Sequence, residues 1–290
     1  MYNVIYNYKG KKIILSKETL LEQFKTFYKE HKPESIEVAI EKFSIFGGVS
    51  WGALDTSKES IALIEELILP DFRYIRNDVT ELTDGLPLHH SILTGLAMGD
   101  SRLQTAFKRA NVSKEVGEKA VLELSESKII RLYKSTAIFN SPFLRFWFAF
   151  ISPIFKGIRD GDYKEFKERW EKRGSEFIQL TFVQLAYELI KLNFKDDRIK
   201  EIRPYFDEEV VLDIYAKTSA KKTIVGICRY SNAKIKKSEL TKLQESAKKA
   251  GIAPDIYVIV AKNGFSNELK ALKSDTLRLI TLKNFKKLVE

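Results

Sequence analysis

The final third of the chain constrains the fold most, because short β-branched runs alternate there with helical segments. Two strands come first after residue 199. The elements that follow are a helix at 236–251, a strand at 255–262, a helix at 266–274, a strand at 277–282 and a closing helix at 283–290. Strands that alternate with helices at this spacing predict an α/β layer built on a mixed or parallel sheet.

The first 84 residues predict a mostly helical module behind a short hairpin. Residues 2–15 alternate in polarity and predict a hairpin that turns at Lys9–Gly10. Three helical segments follow, each with its own boundary signals. The first helix has its N-cap at Ser16 and stops before Pro33. The second covers 34–46 and stops at Gly47–Gly48. The third begins with a capping box at Thr56 and Glu59 and stops at Pro70.

Residues 85–140 predict three short helices and a small strand pair, which is a winged-helix layout with the third helix in the recognition position. Ser113 is the expected N-cap of that helix, and its apolar stripe consists of Val116, Ala120, Val121 and Leu124. The opposite face carries Glu115, Glu118 and Glu123 beside Lys114 and Lys119, and the wing tip is only Lys134 to Thr136. The pattern therefore leaves two readings open, major-groove binding and a packing or protein-contact module.

The segment "SPFLRFWFAFISPIF" is the most apolar stretch of the chain. It is too short to span a bilayer and contains Arg145, so we interpret it as a buried helix that joins two domains within residues 141–170. The following residues, up to Phe194, predict a charged helix and then a long amphipathic helix.

Composition bounds the class of partner. The formal net charge of +10 favours acidic partners such as nucleic acid or an anionic membrane face, and we expect nucleic acid and no membrane. The single cysteine, Cys228, excludes an intrachain disulfide and fits a reducing compartment. The start "MYNVIYNYKGKK" lacks a signal-peptide pattern, and the expected location is the cytoplasm.

Residues 208–230, "EEVVLDIYAKTSAKKTIVGICRY", are laid out like the catalytic hairpin of a metal-dependent nuclease. One β-branched run contains Asp213, a Lys-rich turn follows, and a second apolar run ends at Arg229. Such a site needs two carboxylates for a magnesium ion and a lysine that orients or deprotonates water.

Several segments together resemble the C-terminal half of the archaeal-type ATPases. These segments are "FGGVSWGAL", "SPFLRFWFAFISP", "RGSEF", "VLDIYA" through "VGICRY", and "KNGFSNEL", and they cover roughly residues 40–290. The resemblance implies a winged helix followed by a restriction-endonuclease-like α/β domain of the PD-(D/E)xK type at 171–290. The chain has no "GxxxxGK[ST]" phosphate loop, so ATPase activity is not expected.

The resemblance also assigns the nuclease positions one by one. Glu176 matches the glutamate of the preceding helix and Asp213 the first acidic residue, while the E-x-K pair falls on Ile227 and Arg229. Isoleucine has no ligand atom, and arginine can clamp a phosphate but cannot act as a base. Two carboxylates are candidates for a relocated metal ligand. Glu209 is an even number of residues from Asp213 and is therefore expected on the same strand face, and Glu239 opens the next helix.

Other reactive residue types form no site in the sequence. His89 and His90 are neighbours that point in different directions on a helix, so no zinc site is expected from the three histidines and one cysteine. Cys228 is expected to be a buried packing residue.

The leading hypothesis is therefore an α+β multidomain, non-catalytic protein that binds duplex DNA. Its phosphate contacts would be Lys114, Lys119, Arg229 and Lys234, and it would need no cofactor. One alternative is a divergent magnesium-dependent nuclease that uses Asp213, Glu176 and a relocated carboxylate. The other is an assembly subunit that contacts a protein partner, such as a separate ATPase.

Overall fold

The computed structural model describes residues 18–52, 54–97, 102–133, 135–207 and 209–290. The described residues form two compact units, one within Met1–Phe177 and the other within Ile178–Glu290. The architecture is α+β: helices dominate the first unit, and a five-stranded mixed sheet organises the second. The predicted hairpin of residues 2–15 and the wing-tip residue Lys134 lie outside the described residues. The domain boundaries expected at 84/85, 140/141 and 170/171 stay predictions.

The first unit begins with four helices, Leu20–His31 (α1), Ile36–Phe46 (α2), Ser60–Leu67 (α3) and Phe72–Leu82 (α4). Helix α1 starts at a capping box between Thr19 and Glu22, so its N-cap is Thr19 and the prediction of Ser16 was wrong. Helix α2 ends at Gly47, as its sequence predicts, and its N-cap is Ser35.

The capping box predicted at Thr56 and Glu59 is wrong. The carboxylate of Asp55 accepts a hydrogen bond from the Ser57 amide at 3.1 Å, which holds this stretch in a turn. Helix α3 therefore begins later, and Glu59 is an N-cap without a side-chain hydrogen bond.

Three helices and a strand pair follow, in the predicted order. They are Pro87–Ala97 (α5), Leu103–Ala110 (α6), Lys114–Glu126 (α7) and the antiparallel strands Ile130–Tyr133 (β1) and Thr136–Phe139 (β2). Ser113 caps α7 as expected. Gly117 faces α6 so closely that a Cβ atom there would lie 2.5 Å from the Phe107 ring. Gly117 takes the core position expected for Val116, whose side chain is 46% exposed.

The apolar segment is buried from Ser141 to Ile151, but it is not one regular helix. A short α-helix, Pro142–Phe146 (α8), continues as a π-helical turn at Trp147–Ile151, a 3-10 turn at Ser152–Ile154 and the helix Phe155–Arg159 (α9). Arg145 is buried inside it, where its Nη2 donates to the Phe177 carbonyl at 2.7 Å and its guanidinium lies 3.8 Å from the centre of the Phe177 ring. Burial lowers the pKa of Arg145 to about 9.

Residues 164–193 form one continuous helix, Lys164–Asn193 (α10), where the sequence predicted two. Gly174 does not break it, and a Cβ atom at this glycine would lie 3.0 Å from the Trp170 ring. Among the described residues, none of the helices combines the length and the apolarity needed to cross a bilayer.

The second unit contains three strands before its first crossover helix, one more than the sequence predicted. The strands are Ile199–Phe206 (β3), Val211–Thr218 (β4), Thr223–Arg229 (β5), Ile256–Ala261 (β6) and Leu277–Thr281 (β7), with helices Lys237–Lys249 (α11) and Asn267–Ala271 (α12). The sheet order is β3-β4-β5-β6-β7. Strands β3, β4 and β5 pair antiparallel, while β5, β6 and β7 pair parallel. The closing segment, Leu282–Leu288, is a 3-10 helix.

Candidate functional site

The predicted hairpin is formed, because β4 and β5 are hydrogen-bonded neighbours with Tyr215 opposite Val225. The prediction that these two strands are adjacent is thus confirmed. Strand β4 starts where β5 ends, so Asp213 and Arg229 lie at the same edge of the sheet. At this edge the parallel strands β5, β6 and β7 have their carboxyl ends, where open α/β sheets place their ligands.

Asp213 is held by hydrogen bonds from both strands. Its Oδ2 accepts from the Cys228 amide at 2.9 Å and from Arg229 Nη1 at 3.0 Å. Burial raises the pKa of the Asp213 carboxyl, while the Cys228 amide and the Arg229 charge lower it. The main-chain carbonyl of Asp213 accepts from the Tyr187 hydroxyl of α10 at 2.5 Å, and burial raises the pKa of that hydroxyl well above its ordinary value.

Arg229 links Asp213 to helix α11. Its Nε lies 3.5 Å from Glu239 Oε2, and Lys242 Nζ lies 2.7 Å from the other oxygen of Glu239. The hydrogen bond from Lys242 is the main reason that the pKa of Glu239 is lowered, and the Arg229 charge adds to it. We call these four residues, Asp213, Arg229, Glu239 and Lys242, the Asp213 cluster. Its two acids and two bases match in number.

Ile227 lies on the same face of the sheet as this cluster, as predicted. Its side chain is buried in an apolar core together with Leu240 and Leu243 of α11, the helix that also carries Glu239. The position where the resemblance requires a metal-binding glutamate is therefore a packing position.

The two remaining carboxylates of the nuclease hypothesis have other settings. Glu209 precedes β4, and its amide donates to the Asp207 carboxylate at 2.9 Å in a turn, so the argument that it shares a strand face with Asp213 is wrong. Glu176 belongs to the first unit and pairs with Arg173 on α10 at 3.1 Å.

These residues do not fit a divalent cation. A magnesium ion needs oxygen ligands with open coordination positions, whereas Arg229 bonds to both nearby carboxylates and Ile227 offers no oxygen. Within the described ranges, no group of three His, Cys, Asp or Glu residues is placed to hold a metal ion. No catalytic step through a metal follows from this geometry.

Gln179 is the residue of this region that sequence reasoning missed. From α10 its Nε2 donates to the Cys228 carbonyl at 2.9 Å, and its Oε1 accepts from the Tyr230 amide at 2.6 Å. One side chain thereby satisfies two main-chain groups at the end of β5. A glutamine on a half-buried helix gives no sequence signal for such a contact, since its partner is about fifty positions away.

The remaining candidates behave as packing or surface residues. Cys228 is buried, and burial raises the pKa of its thiol well above the ordinary value, which makes it a poor nucleophile. His89 Nε2 lies 2.9 Å from Glu123 of α7, and His90 Nε2 lies 2.6 Å from the Thr83 hydroxyl.

The four predicted phosphate contacts differ in how available they are. Lys114, Lys119 and Lys234 are exposed, and Lys114 lies 3.8 Å from Glu118 on its own helix. Arg229 is 40% exposed, and two carboxylates already match its charge.

Comparison with known proteins adds little to this description. No family model and no curated protein matches the chain. Among solved structures, the crystal structure of protein VC1899 from Vibrio cholerae is similar at a TM-score of 0.27 and 14% sequence identity, over 70% of this chain and 55% of that chain. The chain thus spans about half the length of that protein. A likeness of this size does not establish a shared fold.

Proposed function

We propose that this chain is a non-catalytic nucleic-acid-associated protein that binds duplex DNA through its phosphate backbone. In this proposal residues 85–140 are a winged helix, and the second unit is a restriction-endonuclease-like domain that has lost its metal chemistry. The chain resembles the C-terminal half of the archaeal-type ATPases and has no phosphate loop, so it would act without hydrolysing ATP.

The loss of catalysis is inferred chiefly from the position of Arg229 Nη1. This one nitrogen lies 3.0 Å from Asp213 Oδ2 and 2.9 Å from the Cys228 carbonyl oxygen. A carboxylate and a carbonyl that converge on one point are ligands suited to a hard divalent cation, and here a permanently charged guanidinium occupies that point. Metal binding would have to displace this guanidinium from Asp213.

The distribution of charge supports a polyanionic partner. The segment Ile178–Glu290 carries 22 Lys and Arg against 14 Asp and Glu, a formal charge of +8, whereas Met1–Phe177 carries 27 against 25, a formal charge of +2. A positive domain attracts the phosphate backbone without reading sequence.

A second candidate, a protein-assembly subunit, is favoured by the outer face of α7. That face carries Glu115, Glu118 and Glu126 beside Lys114 and Lys119, and Leu122 is 55% exposed among them. A face of mixed charge with an apolar residue at its centre suits a protein surface better than a DNA groove. In this reading α7 contacts a partner, such as a separate ATPase, and not the major groove.

A titration of labelled duplex DNA by fluorescence anisotropy, with and without magnesium, tests the proposal. We expect weak binding that falls steeply between about 50 and about 200 mM salt, by about one decade in affinity per decade in salt for each phosphate contact. We expect no magnesium- or manganese-dependent cleavage above that of an Asp213→Ala control.

Two results would contradict it. Salt-independent association would transfer support to the assembly reading. Robust cleavage that Asp213→Ala or Glu176→Ala abolishes would make the protein a nuclease.

A further inference from the structure

Two loops leave the carboxyl ends of neighbouring parallel strands and are tied to each other. Residues 230–236 follow β5, and residues 262–266 follow β6. The Ile235 amide donates to the Gly264 carbonyl, and the Ser266 amide donates to the Ile235 carbonyl, both at 2.9 Å. The Asn263 side-chain amide also donates to the Asn232 carbonyl. We call these segments the carboxyl-edge loops, and their mutual hydrogen bonds make them one fixed surface.

Three lysines project from this surface. Lys234 and Lys236 flank Ile235, which is buried and bridges in parallel to Phe265, so both lysine side chains leave toward solvent. Lys262 lies over the Tyr230 ring with its Nζ 4.6 Å from the ring centre. The directions of Lys234 and Lys236 follow from the alternation of side chains on either side of Ile235, whereas Lys262 is positioned by the Tyr230 ring.

The charge of Lys234 and Lys236 is not offset by an acidic residue within these loops. The carboxyl-edge loops contain no Asp or Glu, and the acidic residues that come next along the chain are Glu239 after the first loop and Glu268 after the second. The two carboxylates at this edge, Asp213 and Glu239, are engaged by Arg229 and Lys242. The Asp213 cluster is therefore close to neutral, and the loops beside it supply the positive charge.

We infer that the carboxyl-edge loops are the surface that holds the phosphate backbone of a nucleic acid duplex, with Lys234 and Lys236 as its contacts. This inference rests on the proposed function and specifies which part of the second unit carries it. Lysine binds phosphate as a point charge, so the contact is independent of base sequence and strongly dependent on salt. Arg229 acts as the internal counter-charge of Asp213 and not as a principal contact.

The test compares two double variants of the whole protein that change the charge equally. Lys234→Gln with Lys236→Gln removes two positive charges from the carboxyl-edge loops. Lys248→Gln with Lys249→Gln removes two from the exposed last turn of α11 and is the matched control. The probe is a fluorescently labelled DNA duplex, titrated at several salt concentrations.

We expect the slope of log affinity against log salt to fall by about 2 in the loop variant, because each lost phosphate contact removes about one unit of slope. The control variant should keep the slope of the natural protein. An equal loss in both variants overturns the inference and leaves the proposed function intact, since binding then follows total charge and no particular surface. If the natural protein shows no salt-dependent duplex binding, the proposed function fails, and the inference fails with it.

Discussion

Arg229 brings three oxygen atoms to one cation. Its nitrogens lie 3.0 Å from Asp213 Oδ2, 2.9 Å from the Cys228 carbonyl and 3.5 Å from Glu239 Oε2. A guanidinium is charged at neutral pH, so it neutralises the carboxylates but cannot take a proton from water. At the scale of single residues, one side chain therefore accounts both for the closed cluster and for the expected absence of catalysis.

Replacing two residues should convert this cluster into a metal site. Ile227→Glu with Arg229→Lys adds a carboxylate on the face that Asp213 occupies and removes the guanidinium that competes for it. Without metal the variant should lose roughly 3 kcal/mol of unfolding free energy, because the new carboxylate is buried among apolar side chains. Added magnesium or manganese should raise its Tm in a thermal melt, since the metal binds only the folded state.

The matched control for this variant is Ile227→Gln with Arg229→Lys, which has nearly the same shape and no added charge. Its Tm should not respond to either metal. An equal metal response in both variants would mean that the ion binds elsewhere. Turnover is not expected to return, because catalysis needs water and phosphate aligned within about 0.5 Å.

At the scale of elements, Gln179 joins helix α10 to the end of strand β5. Gln179→Ala removes the side-chain donor to the Cys228 carbonyl, at 2.9 Å, and the side-chain acceptor of the Tyr230 amide, at 2.6 Å. We expect the free energy of unfolding of the second unit to fall by about 1–3 kcal/mol in urea denaturation, because these groups lose buried partners. Gln244→Ala on the exposed side of α11 is the comparison and should change the free energy far less. Equal losses would show that the contact stabilises nothing.

Local signals predicted elements well where the local contact also decides the structure. Ser113 caps α7 as predicted, because the hydroxyl and its amide partner are three residues apart. The same signals failed where another group intervened. Asp55 holds the turn where Thr56 was expected to start a helix, and Asp207 holds the turn that contains Glu209.

At the scale of the whole molecule, the tryptophans and histidines are divided unequally between the two units. All three tryptophans, Trp51, Trp147 and Trp170, and all three histidines belong to the first unit. Burial lowers the pKa of His31 and of His90, and the charges near His90 lower its pKa further. A depressed histidine pKa contributes stability above its unfolded value, and that stability is lost as pH falls through the folded value.

Acidification from about pH 7 to about pH 5 should therefore destabilise the first unit selectively. The unfolding transition followed by tryptophan fluorescence should move to lower denaturant concentration. The later transition, that of the second unit followed by far-UV circular dichroism, should stay at the same denaturant concentration. Asp213 does not oppose this, because a carboxyl with a raised pKa contributes stability at low pH that is lost as pH rises.

One double variant checks the cause. His31→Gln with His90→Gln should flatten the pH dependence of the fluorescence transition, because no titrating ring remains at those positions. If both probes report one transition that moves equally with pH, the two units unfold together and the prediction fails.

The fold was more predictable than the candidate site. Alternation of strands and helices after residue 199 indicated the sheet, and the adjacency of β4 and β5 follows from a short turn between two apolar runs. The roles of Gln179 and of Glu239 with Arg229 depend on contacts across elements, for which periodicity carries no signal. The prediction of two helices before residue 194 was wrong, because the helical context on both sides of Gly174 outweighs the low intrinsic helix propensity of glycine.

The pairing of Asp213 with Arg229 also restricts how this chain can change during evolution. Loss of Arg229 alone leaves the largely buried Asp213 carboxylate without its counter-charge, which costs more than loss of both. The presence of Asp213 thus favours retention of Arg229, whether or not the site still serves any chemistry. A lineage that carries this pair reaches a metal-binding site only through a less stable intermediate, so the substitution of Arg229 acts as a mutational ratchet.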